Sequence, residues 1–194
     1  MKSSILRAGV ALACALGLAA CGGGDGDLLL QGTIYQGVTK DGLILTNNGG
    51  DDLAVPAGAT SFQFSRAIST DDEFNIEVKQ YPSNVKSCTI NNGKARANYY
   101  TIAQVTMSCE IKTHPFTIKI QGLTTSGLVV VNGTDRREVP ANTATLEMSP
   151  VYEDGPYGVS ILTQPTGQTC SVSNGSGTMG STDTNNNNVV VTCA

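Results

Sequence analysis

Cys88-Thr89-Ile90-Asn91-Asn92-Gly93 returns downstream as Cys170-Ser171-Val172-Ser173-Asn174-Gly175, and this recurrence decides how the rest of the chain is read. Ahead of the first copy stand Asp41-Gly42-Leu43-Ile44-Leu45, Val55-Pro56-Ala57 and Ile76-Glu77-Val78. Ahead of the second stand Ser126-Gly127-Leu128-Val129-Val130, Val139-Pro140-Ala141 and Val159-Ser160-Ile161, in the same order. Each copy closes on a similar run, Val105-Thr106-Met107-Ser108-Cys109 or Val190-Val191-Thr192-Cys193. Self-similarity at a fixed period is the mark of one module used more than once. Two domains of one architecture are therefore expected, at roughly 28–110 and 115–194, with 111–114 between them and Thr113-His114-Pro115 read as the hinge.

Within a module the pattern is that of strands. Phe74-Asn75-Ile76-Glu77-Val78-Lys79 and Thr117-Ile118-Lys119-Ile120-Gln121 place an apolar side chain at every second position, as a half-buried strand does. No stretch after residue 20 sustains the 3.6-residue apolar period of a helix. Asp41-Gly42, Asn48-Gly49, Asn92-Gly93, Asn132-Gly133, Asp154-Gly155 and Asn174-Gly175 punctuate the runs, and such dipeptides suit tight turns that need positive φ. In the first copy, strands are expected at 30–36, 42–46, 60–64, 74–81, 86–91 and 102–109. The fold class that follows is all-β: two tandem sandwiches, immunoglobulin-like in architecture, with the strand order left open.

The N-terminus carries an address. Lys2 and Arg7 precede an apolar stretch from Ala8 to Leu18, the build of a secretory signal, and that stretch is too short to span a bilayer. Leu18-Ala19-Ala20-Cys21 is similar to the lipobox at which bacterial lipoproteins are acylated on the cysteine sulfur and then cleaved. Residues 1–20 are read as a signal peptide and Cys21 as the lipidated first residue of the mature protein. Gly22 to Asp27 then forms a flexible tether. Gly22 stands where retention in the inner membrane usually uses Asp, so the expected location is the cell envelope, lipid-anchored, at the outer membrane in preference to the inner. Several acyl chains would make that anchoring stable.

Cysteine arithmetic fits the two modules. Six cysteines less Cys14 and Cys21 leave four, in a compartment that permits disulfides. Four cysteines allow three pairings. The repeat selects Cys88 with Cys109 and Cys170 with Cys193, because each module must close by itself. Neither module has a CxxC, so no metal is expected.

At this point the sequence resembles a group of bacterial lipoproteins built from tandem repeats of the form G-L-x-L-x-N-N-G-G-D-x-L, then Q-P-x-G-Q-x-C-x-V-x-N-G-x-G, then V-x-V-x-C. Gly42 to Leu53 match the first element, Gln164 to Gly177 match the second, and both copies match the closing strand. The first copy departs at Gln80-Tyr81-Pro82-Ser83-Asn84-Val85-Lys86 and the second at Asn132-Gly133-Thr134. The resemblance implies fold and carries over no catalytic residue.

Chemistry is sparse in this chain. Charged residues make up 14%, with a net charge of −4. Without Lys2 and Arg7 the balance is 10 basic against 16 acidic residues, or −6. Nucleic-acid binding is excluded, since a phosphate backbone demands a basic footprint. Nucleophilic catalysis needs a base and an orienting group, and the single histidine, His114, is expected to be solvated and idle in the hinge. Asp71-Asp72-Glu73 and Glu153-Asp154 are acidic enough for glycoside chemistry, but their place beside strand starts reads as solvated turn charge. The oxygen-rich stretches Asn47 to Asp52 and Asp183 to Asn188 suggest calcium, yet calcium favours several carboxylates and turn formation explains them as well. No cofactor and no enzymatic activity are expected. The expected role is a non-enzymatic structural or binding module; the alternative is a glycan- or peptide-binding lipoprotein using loop tips or sheet edges. Its partners would be the membrane, through the N-terminal lipid, and an envelope protein, peptide or glycan. Tyr81, Tyr99, Tyr100, Tyr152 and Tyr157 are the aromatics available for such a surface, although sandwich tyrosines more often pack half-buried.

Overall fold

The computed structural model describes residues 28–182 and 188–194; the lipobox and Cys21 lie outside them, as does most of the second oxygen-rich stretch. In the first module the elements run β1 (Leu28–Gln36), β2 (Leu43–Asn47), β3 (Asp51–Val55), β4 (Ser61–Ile68), β5 (Glu73–Gln80), β6 (Val85–Asn91) and β7 (Lys94–Arg96). A short helix, α1 (Tyr99–Ala103), and β8 (Thr106–Ile111) complete it. The second module repeats the order: β9 (Thr113–Gln121), β10 (Leu128–Asn132), β11 (Asp135–Val139), β12 (Thr145–Tyr152), β13 (Pro156–Thr163), β14 (Cys170–Ser173), β15 (Ser176–Thr178) and β16 (Val190–Cys193).

Each module is a sandwich of two four-stranded sheets. Domain 1 pairs the order β4-β1-β8-β6 with β3-β2-β5-β7, and domain 2 pairs β12-β9-β16-β14 with β11-β10-β13-β15. The alternating residues meet between the sheets: Leu30, Leu43, Leu45, Phe64, Phe74 and Met107 are buried in one core, and Phe116, Ile118, Leu128, Val130 and Val191 in the other. Each such side chain contributes roughly 1.5–3 kcal/mol by leaving water. The chain order alone did not reveal one property. The first and last strands of each module lie side by side and parallel, β1 with β8 and β9 with β16, whereas immunoglobulin sheets are antiparallel.

The disulfides close each sandwich along one sheet. Cys88 of β6 faces Cys109 of β8, and Cys170 of β14 faces Cys193 of β16; both pairs are joined.

Two expectations need correction, the hinge and the start of the strand placed at 102–109, while the turn reading of Asn47 to Asp52 holds. Residues 111–114 are not a hinge: Ile111 ends β8, Thr113 and His114 begin β9, and both are paired with Tyr152 and Val151 of β12. Pro115 fits this strand because the register shifts between Met148 and Val151, and prolines are tolerated at bulges. Asn47 to Asp52 is a hairpin, with Asn47 opposite Asp51 and Asn48 and Gly49 at positive φ. The strand expected at 102–109 starts later, because α1 intervenes. Asn98 caps it, its side chain accepting from the Tyr100 and Thr101 amides while the Thr101 hydroxyl accepts from the Asn98 amide.

Candidate functional site

Lys40, Lys112, His114, Glu153 and Asp154 gather where the two domains meet. Lys112 alone separates β8 from β9, and its backbone is bonded on both sides: its amide donates to the Asn84 carbonyl at 2.9 Å, and its carbonyl accepts from the Glu153 amide at 2.8 Å. Its Nζ donates to the Ser83 carbonyl. Lys40 of domain 1 pairs with Asp154 of domain 2 at 3.0 Å. A single-residue connector bonded to both domains joins them end to end.

His114 is not solvated. Its Nε2 lies 3.1 Å from Glu153 Oε2, with the side chains 14% and 4% exposed. The strand pairing that sets Val151 opposite His114 brings Glu153 within reach, so Glu153 is not a solvated turn charge either. At the same position of domain 1, Leu28 faces Ile68. Next to this pair, Gly37, Thr39 and Ile111 of domain 1 face Tyr152, Asp154 and Pro156 across a groove of about 340 Å³. Its walls are mostly apolar, with one exposed phenol and one ion pair.

The remaining acids serve turns and ladders. Asp72 accepts from the Ser69 amide, Glu73 pairs with Arg96, and the Asp71 amide donates to the Ala97 carbonyl. Asp52 is held by Lys79, which lowers its pKa chiefly through that hydrogen bond. Asn47 accepts from the Asn75 amide and Asn48 donates to the Glu73 carbonyl, so the first oxygen-rich stretch spends its side chains on the fold. Among the described residues, no cluster of three or more histidine, cysteine or acidic side chains is arranged to hold a metal ion.

The tyrosines behave differently from what sandwich packing suggests. Tyr157 does pack, against Phe116 at 4.9 Å between ring centres. Tyr81 and Tyr152 are about half exposed, whereas Tyr99 and Tyr100 stand 76% and 75% exposed with their rings 5.8 Å apart, edge to face. Tyr35, which sequence reasoning passed over, is 74% exposed, at the bulge between Ile34 and Gln36. Alternation placed its neighbour Ile34 inside; nothing local announced a bulge.

Neither a protein-family model nor a curated protein sequence matches the chain. Among solved structures, the pilus adhesin SpaC of Lactobacillus rhamnosus GG is similar over 84% of this chain, at 8% identity and a TM-score of 0.43. The chain spans only 31% of that adhesin's length. A C-terminal fragment of the same adhesin gives 8% identity and 0.39, with 84% of this chain and 96% of the fragment covered. Two B repeat units of the collagen-binding protein of Staphylococcus aureus give 16% and 0.29, with 87% of this chain and 49% of theirs covered.

Proposed function

We propose that the chain is an envelope lipoprotein, anchored through lipid on Cys21, whose two rigid sandwiches act as a non-enzymatic structural or binding module. The observation that carries the reading is the lipobox at Leu18-Ala19-Ala20-Cys21 standing directly ahead of two domains, each closed by its own disulfide. Disulfides belong to exported proteins, and a lipid anchor keeps an exported protein at its membrane. The His114 ring is engaged with Glu153, so the single imidazole of the sequence serves the domain junction. Metabolic labelling with a palmitate analogue tests the anchor: wild type takes label, and Cys21→Ala loses it and accumulates as precursor. Label on the variant would refute the reading.

A second reading is favoured by the junction groove. Tyr152 offers an exposed aromatic face beside Lys40 and Asp154, a combination suited to a glycan or an extended peptide. Screening glycan and peptide arrays with wild type and Tyr152→Ala tests it. Binding that is unchanged in the variant would exclude the groove.

A further inference from the structure

The two modules present the same end to different surroundings. In domain 2 the Asp154 amide donates to the Met179 carbonyl and the Met179 amide to the Gly155 carbonyl; in domain 1 the Asp71 amide donates to Ala97 and the Ala97 amide to Asp72. Asp154 and Asp71 share positive φ, so these are equivalent turns at equivalent ends. The domain 2 end sits on domain 1 through Glu153, Asp154 and Lys112. Just past Met179, this end carries Gly180, Ser181 and Thr182. The domain 1 end has no domain below it among the described residues. Just past Ala97 and its neighbour Asn98, it carries Tyr99 and Tyr100, both about three-quarters exposed, with Leu29 partly exposed on the adjoining strand.

The chain enters at this same end. Leu28, paired with Ile68, is the first described residue, and Ser69 to Asp72 lead from Ile68 into the turn bonded to Ala97. Only residues 22–27 separate Leu28 from Cys21. The seven residue steps from Cys21 to Leu28 span at most about 25 Å. A lipid on Cys21 therefore holds this end, and not the domain 2 end, within that distance of a bilayer surface. Tyrosine is enriched at the headgroup level, where its ring meets hydrocarbon and its hydroxyl meets water.

Resting on the anchor at Cys21, we infer that the free end of domain 1 is a membrane-contact face, with Tyr99 and Tyr100 seated among the headgroups of the bilayer that carries the lipid. Of the acids at this end, Glu73 pairs with Arg96 and Asp72 accepts from the Ser69 amide, while Asp71 lies in the same turn, so a mainly zwitterionic surface suits the face better than a strongly anionic one. Contact at a second point would hold the stacked domains upright and present the domain 2 loops away from the membrane.

The sequence contains no tryptophan, which gives the test its probe. Full-length lipidated Tyr99→Trp and, as a comparator at the junction, Tyr152→Trp are reconstituted into vesicles of phosphatidylethanolamine with a minor phosphatidylglycerol fraction, with and without lipid brominated high on the acyl chains. Mass spectrometry of the N-terminal peptide reports acylation of Cys21 in the same samples. Emission from Tyr99→Trp is expected to shift to shorter wavelength and to be lost to bromine, while that from Tyr152→Trp does neither. An acylated chain whose Tyr99→Trp emission is unquenched overturns the membrane face and leaves the anchor standing. A Cys21 peptide without lipid overturns the anchor and the face with it. Self-association in detergent that disappears in Tyr99→Ala/Tyr100→Ala, with no quenching in vesicles, would assign the end to a second copy instead.

Discussion

In domain 1 Gly32 of β1 faces Phe62 of β4; in domain 2 the equivalent cross-strand pair is Ile118 and Leu146. A Cβ on Gly32 would lie 2.5 Å from the Phe62 ring, so the ring fills the space that Ile118 fills for itself. A second exchange links the other sheets. Phe74 faces Ala95 in domain 1, whereas Tyr157 faces Gly177 in domain 2, where a Cβ would meet the phenol at 2.6 Å. The two domains divide core volume differently between facing partners, as tolerant cores allow. Backbone landmarks have not moved. Gly37 and Gly122, at positive φ, bring the chain onto the carbonyls of Cys109 and Cys193, and Asn92 and Asn174 turn at φ 55 and 54. The difference teaches that this module is specified by a few backbone positions and two cysteines, and that its side-chain filling is negotiable.

The largest effect is expected at those backbone positions. An alanine Cβ at Gly37 or Gly122 would lie 2.1 or 2.2 Å from a carbonyl oxygen, in a conformation that L residues avoid. Gly37→Ala and Gly122→Ala should each cost about 4 kcal/mol, roughly half from backbone strain and half from forced displacement. Gly58→Ala, also at positive φ but in open space, should cost only about 1 kcal/mol. Denaturant titration followed by tyrosine emission measures all three. Tolerance at either Gly37 or Gly122 would break the equivalence of the modules.

The disulfides come next. Their sequence separations of 21 and 23 are nearly equal, so replacing either pair by serines should cost the same, about 3 kcal/mol from freeing the unfolded chain. Non-reducing peptide maps establish the links, and calorimetry of each double variant reads the loss. A markedly larger loss in one domain would mean that its core is the weaker.

Core exchange makes a smaller and more specific prediction. Gly32→Ala should cost about 2 kcal/mol by overpacking against Phe62, and Phe62→Leu should recover most of it, since leucine is what domain 2 carries there. A double-mutant cycle gives the coupling. Additive losses would show that the two positions do not share the volume.

The smallest effect concerns acid. In domain 1 the carboxyls of Asp52 and Glu110 are held below their ordinary values of 3.8 and 4.5 by hydrogen bonds from Lys79 and Lys86. In domain 2 burial opposes the charge of Asp135, but bonds from Ser149 and Arg137 outweigh it and its pKa also falls. A depressed carboxyl contributes stability above its unfolded value and loses it as pH drops through the folded one. Melting temperatures should therefore decline as pH falls through and below about 4.5. Salt should erase more of the domain 1 contribution, because both of its pairs are in solvent while the Asp135 side chain is 16% exposed. Equal salt sensitivity in the two domains would contradict this.

The sequence by itself determined the repeat, the all-β class, the cysteine partners and the turns. The reason is local: Asn92-Gly93 and Asn174-Gly175 are written into the chain because positive φ admits few residue types, and strand alternation has a period of two. Tertiary structure alone decided the parallel neighbours β1 and β8, the locked Lys112 and the union of His114 with Glu153 across 39 residues. It also decided which tyrosines face water: Tyr157 is drawn in by the space above Gly177, whereas Tyr99 and Tyr100 are left outside, with no facing strand among the described residues to cover them. Such outcomes depend on which distant segment arrives opposite a residue. No local preference encodes that, because packing energy is gained only once both partners are in place.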